Sequence, residues 1–195
     1  MQPLTTLTST FVPLPIESID TDQIIPAEYL KATSRTSLHN VLFHHWRFDD
    51  KEQPIEYFVL NDSRYSGEIL VVGKNFGCGS SREHAVWAIA DYGFRVVISS
   101  SFADIFSINA LNNGVLPLQV PDEFLQNIVS LPADTTLTVN LAEHWVRIDS
   151  TGEQVEFPIS HYKQVCLLNG YNDIDYLVNL KGEIETYEHQ RQIIP

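Results

Sequence analysis

Three short apolar runs, separated by segments of helical character, constrain the fold of this chain more than any other feature. The runs lie at residues 68–73 (EILVVG), 95–100 (RVVISS) and 115–120. Between them, helices are predicted over 82–92 and 102–112, and each is followed by a glycine, Gly93 or Gly114, which is a common end signal for helices. Alternation of strand and helix predicts parallel strands with right-handed crossovers, and therefore an α/β protein.

The remaining segments are predicted to extend this α/β unit and do not indicate a second domain. Residues 135–148 (TTLTVNLAEHWVRI) and 154–159 contain short alternating segments that predict antiparallel strands. Helices are predicted over 161–168 and 174–190. With 195 residues, 44% of them apolar and 19% charged, the chain is long enough for one substantial core. We expect a single domain over 1–195 with a helical tail at about 161–190.

The loop that follows the first apolar run, residues 75–85 (NFGCGSSREHA), has the composition of an anion-binding site. Its glycines permit close approach of the backbone, and the N-terminus of the next helix offers unpaired N–H groups. Arg82 supplies a fork-shaped donor suited to carboxylate or phosphate. Ser80 and Ser81 would lie beside the anion, and the field that binds an anion would also stabilise a serine alkoxide.

Two other interpretations of the loop remain open from the residues alone. Ser80 and Glu83 have the spacing of a capping box, which would make the serine only a helix cap. Cys78 near a helix N-terminus could be a nucleophile with His84 as its partner, or simply a small packing residue between glycines. The pattern does not complete a Walker loop or a dinucleotide-binding fingerprint, so nucleotide binding is disfavoured.

Charge and cysteine content restrict the possible partners. A formal net charge of −13 argues against nucleic-acid or anionic-membrane binding, so an anionic substrate would need local cations, for which Arg35, Lys74 and Arg82 are candidates. The N-terminal residues have neither a basic region nor a long apolar stretch, and we expect a cytoplasmic protein without a membrane span. Cys78 and Cys166 are too few to form a zinc or iron–sulfur shell within this chain.

Acidic and histidine residues near the N-terminus offer weaker candidates. Asp20 and Asp22 in DTDQIIP could make a turn or cap the next segment, or deliver a carboxylate to the same cleft as the glycine loop. His39, His44 and His45 are dense enough to raise the question of a metal. Consecutive residues point in different directions on regular structure, so no metal site is expected there.

Four blocks in order along the chain resemble the small subunit of 3-isopropylmalate dehydratase, the swivelling domain of the aconitase superfamily. They are residues 21–31 (TDQIIPAEYLK), 46–48 (WRF), 75–87 (NFGCGSSREHAVW) and 101–117 (SFADIFSINALNNGVLP). The resemblance implies a swivelling β/β/α domain with a helical C-terminal extension.

The resemblance also implies a heteromeric hydro-lyase of leucine biosynthesis. A separate large subunit would carry a [4Fe-4S] cluster, with none bound by this chain. The substrate, a small dicarboxylate, would pass from 2-isopropylmalate to 3-isopropylmalate through isopropylmaleate by loss and return of water. Related hydro-lyases of the methylmalate or citraconate type and of the homoaconitate type remain alternatives, as does a noncatalytic carboxylate-binding assembly module.

Residue roles follow from the same resemblance. Ser80 matches the base that acts as an alkoxide, Ser81 and Arg82 match residues that hold a substrate carboxylate, and Asp22 matches an active-site aspartate. Arg35 lies in the segment around residues 29–36, where related enzymes discriminate their substrates, and would bind a carboxylate. Cys78 stands where aconitases carry a glutamate, and the resemblance does not make it a cluster ligand.

Overall fold

A seven-stranded mixed sheet organises the fold, which is known from a computed structural model that describes residues 1–31 and 38–191. The strands are β1 (Thr6–Leu14), β2 (Ile69–Val72), β3 (Val96–Ser99), β4 (Leu116–Gln119), β5 (Thr136–Asn140), β6 (Trp145–Ile148) and β7 (Gln154–Glu156). Their order across the sheet is β4-β3-β2-β1-β5-β6-β7. The predicted α/β class is therefore observed.

One half of the sheet is parallel and carries the predicted alternation. Strands β1 to β4 pair in parallel, with Ile69 opposite Val96 and Val96 opposite Leu116. Helix α3 (Glu83–Tyr92) connects β2 to β3, and helix α4 (Asp104–Asn112) connects β3 to β4. Gly93 ends α3 in the left-handed region at φ 113°, which explains why a glycine follows that helix.

The other half of the sheet is antiparallel, as the alternating segments predicted. Strand β5 pairs with β1, β6 with β5, and β7 with β6. Strand β1 was not predicted, although it joins the two halves by pairing in parallel with β2 and antiparallel with β5. Its first half, TLTST, is polar and partly exposed, so it lacks the continuous apolar run that identified the other parallel strands.

Both faces of the parallel half are covered, which explains the unbroken apolar sequence of β2. Ile69 and Val71 face a core shared with Phe124 of helix α5 (Asp122–Val129). Leu70 and Val72 face the opposite core, which includes Ile89 of α3. Because successive strand residues point to opposite faces, burial on both sides requires apolar residues at every position.

The remaining helices differ from the predictions mainly at the C-terminus. Short helices α1 (Thr21–Ile24) and α2 (His44–Arg47), and 3-10 turns at Ala27–Lys31 and Val59–Asn61, lie between β1 and β2. Helix α5 was not predicted, whereas α6 (His161–Asn169) was. The single helix expected over 174–190 is two, α7 (Asp173–Asn179) and α8 (Lys181–Arg191). Within the described residues, no helix is both long enough and apolar enough to cross a membrane.

Candidate active site

The loops that follow β1, β2 and β3 meet at the carboxyl edge of the parallel strands. Gly77 N–H donates to the Ile19 carbonyl at 2.8 Å, and Thr21 N–H donates to the Cys78 carbonyl at 2.9 Å. On the other side, the Phe76 carbonyl accepts from Ala103 N–H at 3.0 Å. The glycine loop is therefore held from both sides by backbone hydrogen bonds, at the edge where ligands bind in open α/β sheets.

Two glycines of the loop adopt conformations that other residues rarely occupy. Gly77 has φ 75°, and a Cβ there would lie 2.3 Å from Cγ of Phe106. Gly79 has φ 97°, and its Cβ would lie 3.2 Å from Cβ of Asp20. The glycines allow the loop to pack closely against α4 and against the segment that follows β1, as the sequence predicted in general terms.

Ser80 projects from this loop toward the start of helix α1. Its backbone N–H donates to Oγ1 of Thr21 at 3.1 Å, and the two hydroxyl oxygens lie 3.0 Å apart. Ser80 is exposed, whereas Thr21 is only 2% exposed. The exposed hydroxyl of Ser80 is thus held by the buried hydroxyl of Thr21. Thr21 was missed from the sequence, where its only signal is its place beside Asp22.

The capping box expected for Ser80 and Glu83 is not formed. Arg82 is the N-cap residue of α3 and makes no side-chain cap hydrogen bond. Ser80 therefore lies outside the helix, with its hydroxyl directed to Thr21.

The capping box occurs instead at α1, where the Asp20 carboxylate accepts from Asp22 N–H and Gln23 N–H at 2.8 and 2.9 Å. The amide oxygen of Gln23 in turn accepts from Asp20 N–H at 2.9 Å. The capping interpretation of Asp20 is correct, and this cap fixes the direction in which Asp22 leaves the backbone.

Asp22 and Arg82 form an ion pair across the mouth of the site. Arg82 Nη1 donates to Oδ1 of Asp22, with the Arg82 side chain 21% exposed and that of Asp22 58% exposed. Lys74, the second described candidate cation, pairs at 3.3 Å with Glu17. Arg35 lies outside the described residues. The structure thus brings together Ser80, Asp22 and Arg82, which are separated by up to 60 residues in sequence.

Asn109 of α4 and Asn113, the residue that caps the end of α4, hold the loop from its other side, a role that was not predicted from the sequence. Asn109 Nδ2 donates to the Ser81 carbonyl at 3.4 Å. Asn113 Nδ2 donates to Oε1 of Glu83 at 2.8 Å, and its amide oxygen accepts from Trp87 Nε1 at 3.1 Å. The start of α3 is therefore tied to α4, which limits movement of the serines.

One described contact of Cys78 and one of His84 bear on the thiol interpretation. Its thiol lies 3.4 Å from the Ser18 carbonyl oxygen, to which it donates. The ring of His84 packs on that of Trp87, with 4.5 Å between centroids. The described contacts thus give Cys78 a backbone carbonyl as its neighbour and give His84 an aromatic one.

The consecutive histidines point in different directions, as expected. His44 is buried, and its Nε2 lies 3.1 Å from Oε2 of Glu52 and 3.2 Å from the Tyr29 hydroxyl. Burial, with the charges of Glu28 and Glu52, raises the pKa of Tyr29. His45 is exposed and lies 3.4 Å from Glu28. Across residues 1–31 and 38–191, no group of three His, Cys, Asp or Glu side chains is arranged to hold a metal ion.

Comparison with known proteins assigns this architecture to a class. Residues 1–123 match the family model described as the aconitase C-terminal domain. A solved structure, 3-isopropylmalate dehydratase from Methanocaldococcus jannaschii, superposes with a TM-score of 0.67 at 27% identity, covering 93% of this chain and 99% of that chain. The fold is thus the aconitase-type swivelling domain with a helical extension, and that prediction is confirmed.

Curated relatives define the family more narrowly. A protein of Cytophaga hutchinsonii named 3-isopropylmalate dehydratase small subunit is 55% identical, over 96% of this chain and 95% of its own length. Proteins of the same name from Christiangramia forsetii and Azobacteroides pseudotrichonymphae are 51% and 55% identical, over 98% and 96% of this chain and 95% and 98% of their own lengths. The chain belongs to the family of 3-isopropylmalate dehydratase small subunits.

Proposed function

We propose that this chain is the small subunit of a hydro-lyase that isomerises 2-isopropylmalate to 3-isopropylmalate through isopropylmaleate, in leucine biosynthesis. The observation that carries the proposal is the serine loop at the carboxyl edge of the sheet, with an exposed Ser80 beside Arg82, in a chain of this family. We further propose that residues 1–195 act as one unit in the cytoplasm and that the large subunit completes the site.

Ser80 is the proposed base. Dehydration removes a carbon-bound proton next to a carboxylate, together with the hydroxyl group of the neighbouring carbon. The Ser80 alkoxide takes that proton and returns one when water adds back with the opposite regiochemistry, so that the base is regenerated. An ordinary serine hydroxyl is too weakly acidic for this role, and the surrounding donors must stabilise its ionised form.

Arg82, Ser81 and Asp22 are proposed to arrange the substrate around Ser80. A guanidinium has five N–H donors, so its contact with Asp22 does not exhaust its capacity to bind a substrate carboxylate. Ser81, which is exposed next to Ser80, adds a hydroxyl donor for the same carboxylate. Asp22 holds the guanidinium in position before substrate arrives and is proposed to assist proton transfer. Arg35 is proposed to bind the other carboxylate.

The [4Fe-4S] cluster is proposed to belong to the large subunit, since this chain has only two cysteines. Cys166 lies on the buried side of α6, and burial raises the pKa of its thiol, which opposes the thiolate form that a cluster ligand needs. When bound, such a cluster supplies a Lewis acid that assists departure of the substrate hydroxyl. This chain would supply the base and the anion-binding groups.

A surface of α4 is the proposed contact with the large subunit. Ile105 and Ile108 are 50% and 56% exposed, and they lie on one side of the helix because they are three residues apart. Asn109, the next residue, contacts the Ser81 carbonyl, so this apolar surface is continuous with the serine loop. A partner that closes over the substrate would cover it.

Substitution of Ser80 by Ala in the assembled enzyme tests the catalytic proposal. We expect kcat to fall by roughly 10²–10⁴-fold, the usual contribution of a positioned acid or base, while the complex still forms. Titration calorimetry or gel filtration with the cluster-bearing large subunit provides the control for assembly. Unchanged turnover would exclude Ser80 as the base, and a complex without any turnover in the unsubstituted protein would support the noncatalytic module.

Substrate comparison separates this reaction from its relatives. The same complex, prepared anaerobically, would be assayed with isopropylmalate, methylmalate and homoaconitate-type substrates. We expect the highest kcat/KM with isopropylmalate. Because a hydrophobic pocket discriminates by roughly 1–3 kcal/mol per methylene and the isopropyl group is two methylenes larger than a methyl group, the preference over methylmalate should exceed about 10-fold. A preference for either of the other substrates would assign the chain to a related hydro-lyase.

The α4 surface is tested by a double charge substitution. Ile105→Glu with Ile108→Glu should weaken binding to the large subunit by about tenfold or more, because a buried interface would then contain unpaired carboxylates. A matched control is Ile174→Glu with Val178→Glu on α7, where the side chains are 71% and 66% exposed. If only the α7 pair weakens binding, the proposed contact lies on the wrong helix.

A further inference from the structure

Thr21 occupies a buried position from which its hydroxyl reaches Ser80. It is the first residue of α1 and is 2% exposed. Its backbone N–H donates to the Cys78 carbonyl at 2.9 Å, and its own carbonyl accepts from Ile25 N–H at 3.0 Å. These two backbone contacts fix the residue on both sides. The contact between the Thr21 and Ser80 side chains is a tertiary contact, since the two residues are 59 positions apart in sequence.

The number of protons and lone pairs on the two hydroxyl groups determines which of them donates a hydrogen bond when Ser80 is ionised. A threonine hydroxyl has one proton and two acceptor lone pairs. One lone pair of Thr21 Oγ1 accepts the Ser80 N–H at 3.1 Å. The Ser80 oxygen lies 3.0 Å away, and as an alkoxide it has no proton to give. The Thr21 proton must then be donated to the Ser80 oxygen in that contact.

Gly79 allows this close approach. It has φ 97°, and a Cβ at this position would lie 3.2 Å from Cβ of Asp20 and 3.5 Å from Oγ1 of Thr21. Gly79 thus lies against Asp20 and Thr21 without a side chain of its own between them. A donor held in this way requires little reorganisation when charge develops on its acceptor, which is the condition for effective electrostatic stabilisation.

We propose that Thr21 is a positioning residue for the reaction, whose hydroxyl orients Ser80 and donates a hydrogen bond to its ionised form. The proposal rests on the proposed function, because it requires Ser80 to act as a base. Thr21 does not contact the substrate. Its effect on turnover passes through the Ser80 oxygen, so its loss should lower kcat and leave KM nearly unchanged.

The experiment compares Thr21→Ser and Thr21→Ala in the complex with the cluster-bearing large subunit. Both variants lack the threonine methyl group, and they differ by the hydroxyl oxygen alone. We expect kcat for isopropylmalate to fall roughly 10- to 100-fold in Thr21→Ala, the usual value of a hydrogen bond to a charged group, with Thr21→Ser close to the unsubstituted enzyme. Thr21→Val, which keeps the side-chain shape without the hydroxyl, should match Thr21→Ala.

Two results would overturn the proposal. Full kcat in Thr21→Ala would show that the hydroxyl is not needed, and an equal loss in Thr21→Ser would show that the methyl group matters through packing alone. Ser80→Ala, measured in parallel, separates these failures from failure of the proposed function. If Ser80→Ala is inactive while Thr21→Ala is fully active, Ser80 remains the base and only the role of Thr21 is refuted.

Discussion

Replacing Gly77 by Ala should destabilise the protein through one identifiable contact. Gly77 lies in the serine loop with φ 75°, and an added Cβ would lie 2.3 Å from Cγ and 2.5 Å from Cδ2 of Phe106. Phe106 is 3% exposed and packs edge-on against Phe76, with 5.0 Å between ring centroids. Because the ring is nearly fully buried and contacts Phe76 and Phe102, a shift of the ring would disturb its neighbours.

Two destabilising contributions and one stabilising contribution determine the change in the free energy of unfolding. An L-residue in the left-handed region costs about 1–2 kcal/mol, and overpacking of a well-packed core costs about 1–3 kcal/mol. Replacement of glycine by alanine also restricts the unfolded chain, which returns about 0.4–1 kcal/mol. The free energy of unfolding of Gly77→Ala should therefore fall by about 1–5 kcal/mol.

Gly152→Ala is a matched control for the backbone term. Gly152 has φ 74°, nearly the same as Gly77, but a Cβ there would meet no atom within 4 Å. The difference between the two variants isolates the contact with Phe106, about 1–3 kcal/mol. For a chain of this size that corresponds to a Tm lower by roughly 2–12 °C in Gly77→Ala than in Gly152→Ala.

The assay is urea denaturation of each variant beside the unsubstituted chain, followed by turnover in the assembled enzyme. Gly77→Ala should also lower kcat, because the loop that carries Ser80 must shift to accommodate the methyl group. Equal destabilisation of the two variants would refute the argument, since it would mean that Phe106 is not displaced and only the left-handed backbone matters.

Three further predictions concern single side chains. Arg82→Lys should lower kcat/KM by roughly 10- to 100-fold in steady-state assays, because an ammonium cannot bind a carboxylate with two parallel hydrogen bonds; an unchanged value would remove Arg82 from the substrate site. Cys78→Ala should retain turnover. A loss of turnover comparable to that of Ser80→Ala would support Cys78 as a nucleophile. Hydrogen bonds from Lys163 and then Tyr162 lower the pKa of Asp173, so Asp173→Asn should lose stability relative to the unsubstituted chain at neutral pH. That difference should begin to shrink as pH falls through about 3.9, the ordinary value for aspartate, and should vanish only below the lowered pKa of folded Asp173, where the carboxyl is protonated in the folded chain as well. A difference that persists at still lower pH, measured by urea denaturation, would contradict the prediction.

The central part of the fold could be predicted because its local signals agree with its tertiary environment. Strand β2 is apolar at every position and buried on both faces, and Gly93 ends α3 where a left-handed residue is needed. Strand β1 could not be found in the same way, since its early residues are polar and its position between β2 and β5 depends on distant partners. The break at Leu180 is likewise not marked by a residue that ends helices, because the nearby Gly182 lies within α8.

The site was predictable in composition but not in its hydrogen bonding. Ser80 and Glu83 have the local pattern of a capping box, yet α3 begins after Arg82, and Ser80 makes its contacts with Thr21. A pattern of four consecutive residues cannot report a partner 59 residues away. Asp20 does form a cap, because the two backbone N–H groups that donate to its carboxylate lie within its own segment.

Arg82 would allow a chain of net charge −13 to bind an anion, although it is paired with Asp22. Asp22 is 58% exposed, and exposed ion pairs contribute only about 0–1 kcal/mol, so a substrate carboxylate can compete for Arg82 at small expense. Arg82 is more buried, at 21% exposure, and a partner that covers the site would lower the local dielectric further. The pairing with substrate would then strengthen on closure, whereas the acidic residues elsewhere on the surface remain screened by salt. Raising ionic strength should therefore not slow substrate association, because salt also screens the repulsion from the acidic surface, and it should weaken the closed complex only slightly.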